Sequence, residues 1–201
     1  MLSRRAFCTG AAGIALPAAL AQVIEFENHG VKYQTLTRNG VTVMFAPLPA
    51  HVREYAILQA AVSNGAKSSY MIRPEDFVYH KNDGAEIRAV PARVVVSMLI
   101  EKGGRNDVIK LVSAYENTLY GISRMRSSNG YEARRLAALA EVSNTKLKAA
   151  AAAAAIAFVQ TKLLGGASTD GAVFFPTDGK MLGFGHIVVR TNTDIFNFTT
   201  D

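Results

Sequence analysis

Apolar and polar residues alternate between residues 23 and 90, which is the pattern of half-buried β-strands. The clearest pair of runs covers residues 33–37 and 41–45 and flanks Asn39 and Gly40. Both turn residues tolerate a positive φ, so this pair predicts a tight hairpin. Further short apolar runs, each bounded by turn residues, follow at 54–63, 69–72, 77–79 and 86–90. The region therefore predicts a meander of about six strands.

The spacing of apolar residues lengthens to three or four after Pro91, which indicates helices. A first helix is predicted over residues 92–102, because a proline is tolerated at a helix start and a pair of glycines follows. A second helix begins where Asn106 or Asp107 can cap its free amide groups, and it ends at Gly121.

A third, longer helix is predicted over residues 131–164 and contains seven consecutive alanines, 149–155. Its predicted buried stripe consists of residues three or four apart: Leu136, Ala140, Ser143, Leu147, Ala150, Ala154 and Phe158. Alanine is the best helix former, so the run is not a flexible linker. The uninterrupted apolar run 149–159 is also shorter than the roughly 20 residues that a bilayer-spanning helix needs. We therefore expect close packing on another surface, with a peripheral membrane or assembly role as the alternative.

Strand patterns return in the last part of the sequence, at residues 172–175, 186–190 and 194–198. The order of strands, helices and strands predicts an α+β fold. We expect a single domain over residues 22–201, an antiparallel β-sandwich of about eight strands with a helical insertion at about 91–166.

Two segments resemble a known architecture. The stretch GAVFFPTDGKMLGFGHIVVRTNTDIFNF contains a glycine, an apolar triplet, a turn and a final hairpin that ends in Phe-x-Phe. Together with RPEDF at 73–77 and the following Asp83-Gly84 turn, it resembles the immunoglobulin-like domains of uncharacterised exported bacterial proteins. The resemblance covers about half of the chain after residue 21 and implies an immunoglobulin-like sandwich. It implies no activity and no catalytic residue.

The N-terminal segment predicts export. Arg4 and Arg5 precede a weakly apolar run, and an Ala-x-Ala sequence places the cleavage site between Ala21 and Gln22. The order Ser-Arg-Arg-Ala-Phe also resembles a twin-arginine signal, with the general secretory route as the alternative. We therefore expect a signal peptide over residues 1–21 and a mature protein in the periplasm or outside the cell, without a transmembrane helix.

Composition argues against several kinds of chemistry. Cys8, the only cysteine, lies in the predicted signal peptide, so the mature chain has no disulfide and no thiol nucleophile. Hydrophobic residues make up 49% of the chain, enough for a packed core. The histidines have no metal-ligand spacing and are interpreted as surface or strand residues: His29, His51, His80 and His186. No phosphate loop or nucleophile motif occurs, so we predict no metal, no cofactor and no catalytic residue.

Positive charge is concentrated in one part of the chain. Residues 105–162 hold nine basic and four acidic residues, whereas the rest of the chain after residue 21 holds eleven basic and twelve acidic ones. A basic group in this region is the candidate partner-binding site: Arg124, Arg126, Arg134 and Arg135, with Tyr131 among them. Clustered arginines bind phosphate or carboxylate groups. A solvated helix start balanced by Glu132 and Glu141 is the alternative. We expect a protein surface, an envelope polymer or anionic lipid as the partner of an exported chain, and no nucleic acid.

These patterns favour a non-catalytic exported envelope protein, a binding or assembly module whose partner and oligomeric state the sequence leaves open. The alternative is a hydrolase-like enzyme with its site between the sandwich and the helices. A cleft with His80 or His186 near two carboxylates would favour such an enzyme, whereas a flat face rich in apolar or basic side chains would favour binding.

Overall fold

The computed structural model describes residues 22–28, 30–119, 133 and 144–200, with the backbone alone described for residues 114–119. Within these ranges the strands are β1 Ile24–Asn28, β2 Val31–Arg38, β3 Val41–Val52, β4 Tyr55–Asn64, β5 Tyr70–Ile72, β6 Phe77–Lys81, β7 Glu86–Arg88, β8 Thr161–Leu163, β9 Ser168–Pro176, β10 Gly185–Arg190 and β11 Ile195–Thr200. The helices bounded there are α1 Ala92–Lys102, α2 Arg105–Leu119 and α3 Thr145–Ile156. The first sheet has the order β1-β2-β3-β4-β9, the second sheet has the order β11-β10-β6-β7, and β5 pairs with β8.

The first two sheets pack face to face and enclose the larger core. Phe45 of β3 meets Phe198 of β11 edge to face, with ring centroids 4.8 Å apart. Tyr79 of β6 meets Phe175 of β9 in the same way at 6.5 Å. These contacts, with the antiparallel ladders and the helices, confirm the prediction of a mostly antiparallel α+β sandwich.

The finer part of the fold prediction is not confirmed. The described residues form eleven strands in three sheets, where the sequence pattern predicts about eight strands and an immunoglobulin-like topology. The strands that the pattern missed are β1, whose residues are mostly exposed, and β8, which has only three residues. Neither strand has the alternation of buried and exposed positions on which the prediction depends.

The β2–β3 hairpin forms where the sequence predicts it. Asn39 and Gly40 have φ values of 47° and 80°, and the ladder pairs Arg38 with Val41 across the turn. A Cβ atom at position 40 would lie 3.1 Å from the backbone nitrogen of Ala66. Glycine is therefore favoured at this position both by its backbone conformation and by the close approach of the neighbouring loop.

The opposite face of the first sheet carries a second core beneath the helices. Ile57 of β4 and Phe174 of β9 pack there with Leu99 of α1 and Leu111 of α2, and each is at most 1% exposed. The described chain therefore has three layers: the second sheet, the first sheet and the helices.

Helix α3 is shorter than the predicted helix over residues 131–164. The backbone of Asn144 is extended, and its side-chain oxygen accepts a hydrogen bond from the N–H of Lys146 at 2.8 Å, which caps the first turn. The helix ends at Ile156 because the chain then joins the sheets: Ala157 bridges Ala172 of β9, and β8 follows. The prediction of one continuous helix to residue 164 is therefore wrong.

The chain passes from the helical layer into the sandwich core at Phe158. Its ring is 1% exposed and meets Phe77 at a centroid distance of 5.3 Å. Its N–H donates to the carbonyl oxygen of Ala172 at 2.8 Å. A Cβ atom on Gly171 would lie 2.5 Å from the Cα of Phe158, so this crossing requires glycine on the strand beneath it.

The alanine run packs closely against its neighbours, as the sequence predicts, but the predicted stripe is confirmed only in part. Ala149 and Ala153 are fully buried in the helix-side core, and a Cβ atom on Gly103 would lie 3.0 Å from the Cβ of Ala149. Of the predicted stripe, Ala150 and Phe158 are buried, whereas Leu147 is 46% exposed and Ala154 is exposed. Its other members lie outside the described ranges: Leu136, Ala140 and Ser143. A run of identical alanines has no periodicity, so the sequence could not specify the buried face. No helix in the described ranges is long and apolar enough to cross a bilayer.

Candidate functional site

The β3–β4 hairpin meets the junction between α1 and α2 at Arg53. This residue lies in the hairpin turn with a φ of 52°, which is uncommon for a residue other than glycine. Its Nε donates to Oδ2 of Asp107 at 2.9 Å, and its Nη2 donates to the carbonyl oxygen of Lys102 at 2.5 Å. Arg53 thereby connects the end of α1 and the start of α2 to the hairpin.

Asp107 is the acidic member of this junction and is only 5% exposed. Its Oδ2 lies 2.8 Å from Nη2 of Arg53 and also accepts a hydrogen bond from the N–H of Gly104 at 2.8 Å. The second contact satisfies a backbone donor just before α2, which begins at Arg105. The prediction that Asn106 or Asp107 is the cap preceding this helix is therefore wrong, because both residues lie inside its first turn. The guanidinium group offsets the cost of burying the carboxylate.

An open cavity of about 440 Å³ lies against this junction. It is lined by the hairpin tip and the first turns of α2: His51, Arg53, Gly104, Arg105, Asn106, Asp107 and Lys110. Arg53 and Asp107 neutralise each other. Arg105 and Lys110 are exposed and have no ion-pair partner in the described part of the chain. The start of a helix adds a partial positive charge of about half a unit, so the cavity is suited to an anionic group.

The basic residues proposed from sequence as the partner-binding site lie outside the described ranges: Arg124, Arg126, Tyr131, Arg134 and Arg135. Ala21, on one side of the predicted cleavage site, also lies outside them. Gln22, on the other side, is described and exposed just before β1.

Sequence analysis did not single out His51 and Arg53 as members of a site. Arg105 and Lys110 contribute to the charge excess that the sequence reveals, but Arg53 precedes Asp107 by 54 residues. The only local signal is an arginine in a turn between two predicted strands. Strand patterns cannot predict which helix a hairpin tip will contact, because that contact depends on the packing of layers.

A second feature lies on the outer face of the second sheet, where a row of side chains crosses four strands. Antiparallel pairing places His186 of β10 directly beside His80 of β6. Thr199 of β11 flanks His186, and Glu86 of β7 flanks His80. An open groove of about 560 Å³ lies over this row and is lined by His80, His186, Val188, Asn197, Phe198 and Thr199.

The two nitrogen atoms of His80 have different surroundings. Nδ1 lies 3.2 Å from Oε1 of Glu86. Nε2 is shielded from solvent and has no hydrogen-bond partner in the described residues. The sequence interpretation treated His80 and His186 as separate strand residues, and sheet pairing brings them together. No group of three or more His, Cys, Asp or Glu side chains within the described ranges is arranged to hold a metal ion.

Burial raises the pKa of four described side chains that line neither cavity: Tyr33, Tyr55, Tyr70 and Asp76. Desolvation raises the pKa of Tyr70 to about 12, and its hydroxyl group has no hydrogen-bond partner in the described chain. Burial also raises the pKa of Asp76, although its carboxylate accepts a hydrogen bond from the N–H of Arg73 at 2.8 Å. Tyr70 lies in β5 and belongs to the larger core, and Asp76 lies in the turn before β6, so we assign Tyr70 to core packing and Asp76 to that turn.

No protein-family model, curated protein or solved structure matches this chain. The function is therefore argued from the chemistry of the two surfaces.

Proposed function

We propose that this protein is an exported, non-catalytic binding module of the cell envelope that holds an anionic partner in the cavity beside α2. The observation that carries the proposal is a pair of cations, Arg105 and Lys110, that line a cavity of about 440 Å³ and have no ion-pair partner among the described residues. Phosphate and carboxylate groups of envelope polymers, anionic lipids and acidic protein surfaces have the charge that this cavity attracts.

The contacts of Arg53 favour a binding site at this cavity rather than a surface that contacts only water. Two of its contacts fix the guanidinium group, whose side chain is nevertheless 40% exposed. The guanidinium carries five N–H groups, and within the described residues only its Nε and Nη2 donate hydrogen bonds, so further donors remain for an acceptor. Donors held in place before binding lose less conformational entropy when a ligand arrives.

As an extension of this assignment, we propose that a group of basic residues after α2 in the sequence binds the same anionic partner. The group consists of Arg124, Arg126, Arg134 and Arg135 with Tyr131. The support for this extension is the uneven charge, nine basic and four acidic residues over 105–162. A sandwich needs no such excess to fold, whereas an anionic partner would be attracted by it.

A charge-removal experiment tests the cavity. The full-length protein is titrated with vesicles of anionic lipid and with sheared envelope polymer at two salt concentrations. Replacing both Arg105 and Lys110 by Gln should weaken binding several-fold. Wild-type binding should also fall as salt rises, because exposed charges are screened over about 8 Å at physiological ionic strength.

A matched control removes the same charge elsewhere. The double variant Lys32→Gln/Arg190→Gln takes two exposed cations from β2 and β10, away from the cavity lining, and should bind as the wild type does. Equal binding by the Arg105/Lys110 variant and the wild type at low salt would contradict the assignment of this cavity.

The predicted arginine group is tested separately. Changing Arg124, Arg126, Arg134 and Arg135 to Gln should reduce binding with little loss of stability, because isolated surface ion pairs contribute only about 0–1 kcal/mol. A large fall in the melting temperature would instead assign these arginines a structural role.

Export is the second part of the proposal, and its support is the N-terminal sequence. Replacing Arg4 and Arg5 together by Lys should block a twin-arginine route and spare the general secretory route, which requires only positive charge. Fractionation of cells that express the variant measures this. Normal appearance of the variant outside the cytoplasm would contradict the twin-arginine interpretation, and retention of the wild type in the cytoplasm would contradict export altogether.

We also propose a relationship to immunoglobulin-like domains of exported bacterial proteins, supported by the C-terminal hairpin and the 73–77 segment. An experimentally determined relative with the same strand order would test it.

The alternative function, a hydrolase, would be favoured by a histidine beside two carboxylates. His80 has one at its Nδ1, Glu86, and the lining of the groove includes no Asp or Glu. We therefore do not advance an enzymatic function.

A further inference from the structure

The histidine pair on the outer face of the second sheet points to a metal site. We propose that His80 and His186 together bind a divalent ion of the late first-row transition metals, such as Cu²⁺ or Zn²⁺. The site does not depend on the proposed anion-binding function. It uses other residues, on a sheet that the first sheet separates from the helices.

The sheet register places the two rings within reach of one ion. His186 and His80 are direct cross-strand partners, and both line the groove of about 560 Å³. Directly opposed residues of an antiparallel pair have Cβ atoms about 4.5–5.5 Å apart on the same face. Imidazole nitrogen atoms bind such metals at about 2.0–2.1 Å. Two rings on neighbouring strands can therefore turn toward a shared ion without a change in the backbone.

Glu86 prepares His80 to act as a ligand. A carboxylate 3.2 Å from Nδ1 favours the tautomer that carries its proton on Nδ1. The lone pair is then on Nε2, the atom that can bind the metal. Metal-binding histidines usually have a carboxylate or carbonyl at the other ring nitrogen, where it orients the ring and increases its basicity. Glu86 is thus a positioning residue and not a ligand.

The surroundings of Nε2 of His80 supply an independent observation. This atom is shielded from solvent and has no partner in the described residues, a condition that buried polar atoms rarely retain. A bound ion would satisfy it. His186, the proposed second ligand, is exposed at the same groove and is therefore free to turn toward the ion.

The remaining coordination positions determine the kind of site. No third His, Cys, Asp or Glu in the described ranges converges with the two histidines. Asn197 and Thr199 offer neutral oxygen atoms at the edge of the groove, and the groove is open to water. Two imidazole nitrogens completed by oxygen donors suit Cu²⁺ best, and open positions make the ion exchangeable. We therefore expect a site that binds metal reversibly, with room for an additional ligand on the ion.

Copper titration of the full-length, tag-free protein tests the proposal. The experiment uses a Cys8→Ser background, because the only cysteine would itself bind copper. We expect one Cu²⁺ per chain by calorimetry and coupling to two imidazole nitrogens by electron paramagnetic resonance. His80→Ala and His186→Ala should each raise the Kd more than 10-fold and remove one coupled nitrogen. Glu86→Gln should raise the Kd about 10-fold, the lower end of the effect of losing an outer partner.

His51→Ala is the matched control, because His51 lies at the other cavity and its loss should change neither the Kd nor the spectrum. Folding of every variant is checked by thermal melting. If His80→Ala does not fold, His186→Ala still tests the proposal, because the side chain of His186 is exposed and its removal should not prevent folding. The proposal is overturned if no stoichiometric Cu²⁺ binding occurs, if His186→Ala binds as the background does, or if only His51→Ala loses binding.

Discussion

Replacing Gln59 by Met should stabilise the protein, although glutamine is the more polar residue. Gln59 lies in the middle of β4 on the helix-covered face of the first sheet, opposite Ala46 of β3 and Ala172 of β9. The residue is 1% exposed, and neither Nε2 nor Oε1 has a hydrogen-bond partner in the described chain. Within the described residues, its amide has therefore lost its hydrogen bonds with water without gaining others.

The expected magnitude follows from that loss. In mutational data, burial of an amide without a hydrogen bond costs about 1–3 kcal/mol. Methionine has nearly the same length and unbranched shape, so it keeps the contacts with the surrounding alanines without overpacking them. We expect Gln59→Met to raise the free energy of unfolding by about 1–3 kcal/mol. For a chain of this length, each 1 kcal/mol raises Tm by about 2–4 °C.

Urea denaturation of the full-length protein measures the effect. The midpoint should increase while the slope stays constant, because the surface exposed on unfolding does not change. Gln34 provides the matched control, since its Nε2 donates to Oε1 of Glu25 and to the carbonyl oxygen of Thr199, both at 2.7 Å. Gln34→Met should destabilise the protein by roughly 1 kcal/mol.

A loss of 1 kcal/mol or more in Gln59→Met would refute the reasoning. It would show that the amide of Gln59 is hydrogen-bonded in solution, for example to an enclosed water molecule, and that the burial cost was offset. Equal gains in both glutamine variants would point instead to a general effect of hydrophobic substitution.

Three further predictions concern single positions. The pKa of Tyr70 is raised to about 12, so its stabilising effect is complete below pH 10 and is lost as the pH rises toward 12; Tyr70→Phe should flatten the fall in stability over that window in denaturation curves, and an unchanged slope would contradict this. Gly171→Ala should cost about 3 kcal/mol or more, because its Cβ would lie 2.5 Å from the Cα of Phe158, and an unchanged Tm would show that the strand shifts freely. Ala153→Leu should lower the free energy of unfolding by about 1–3 kcal/mol through overpacking, while Ala154→Leu on the exposed side should change it by no more than about 0.5 kcal/mol. The reverse order of the two effects would show that Ala154, and not Ala153, faces the core.

Local signals in the sequence were sufficient for most strands and for the start of α1. Asn39-Gly40 predicts its hairpin because the backbone of the turn restricts which residues can occupy it. Asp107 helps to start α2, since its carboxylate and the N–H of Gly104 are only three residues apart, although the helix begins at Arg105 and thus earlier than predicted. Such features depend on a few neighbouring residues, and a pattern of residue types therefore contains them.

The features that the sequence did not reveal depend on contacts between distant segments. The end of α3 at Ile156 is set by where Phe158 enters the sandwich core, and no breaker marks that point among the alanines. His80 and His186 meet because β10 lies beside β6, an order that strand patterns do not contain. Arg53 reaches α2 for the same reason: the layers must be packed before the cavity exists.

The crossing at Phe158 makes the helical layer and the sandwich one cooperative folding unit. The last turn of α3 is joined to this residue by a single intervening alanine, so the turn cannot detach without pulling the ring away from Phe77. Detachment would also strain β8, whose ladder pairs Thr161 with Ile72. Local opening of this part of the helical layer therefore costs a large share of the global unfolding free energy, and amide hydrogens of α3 and of the sandwich should exchange together. A partner that loosened α3 would act on the stability of the whole domain.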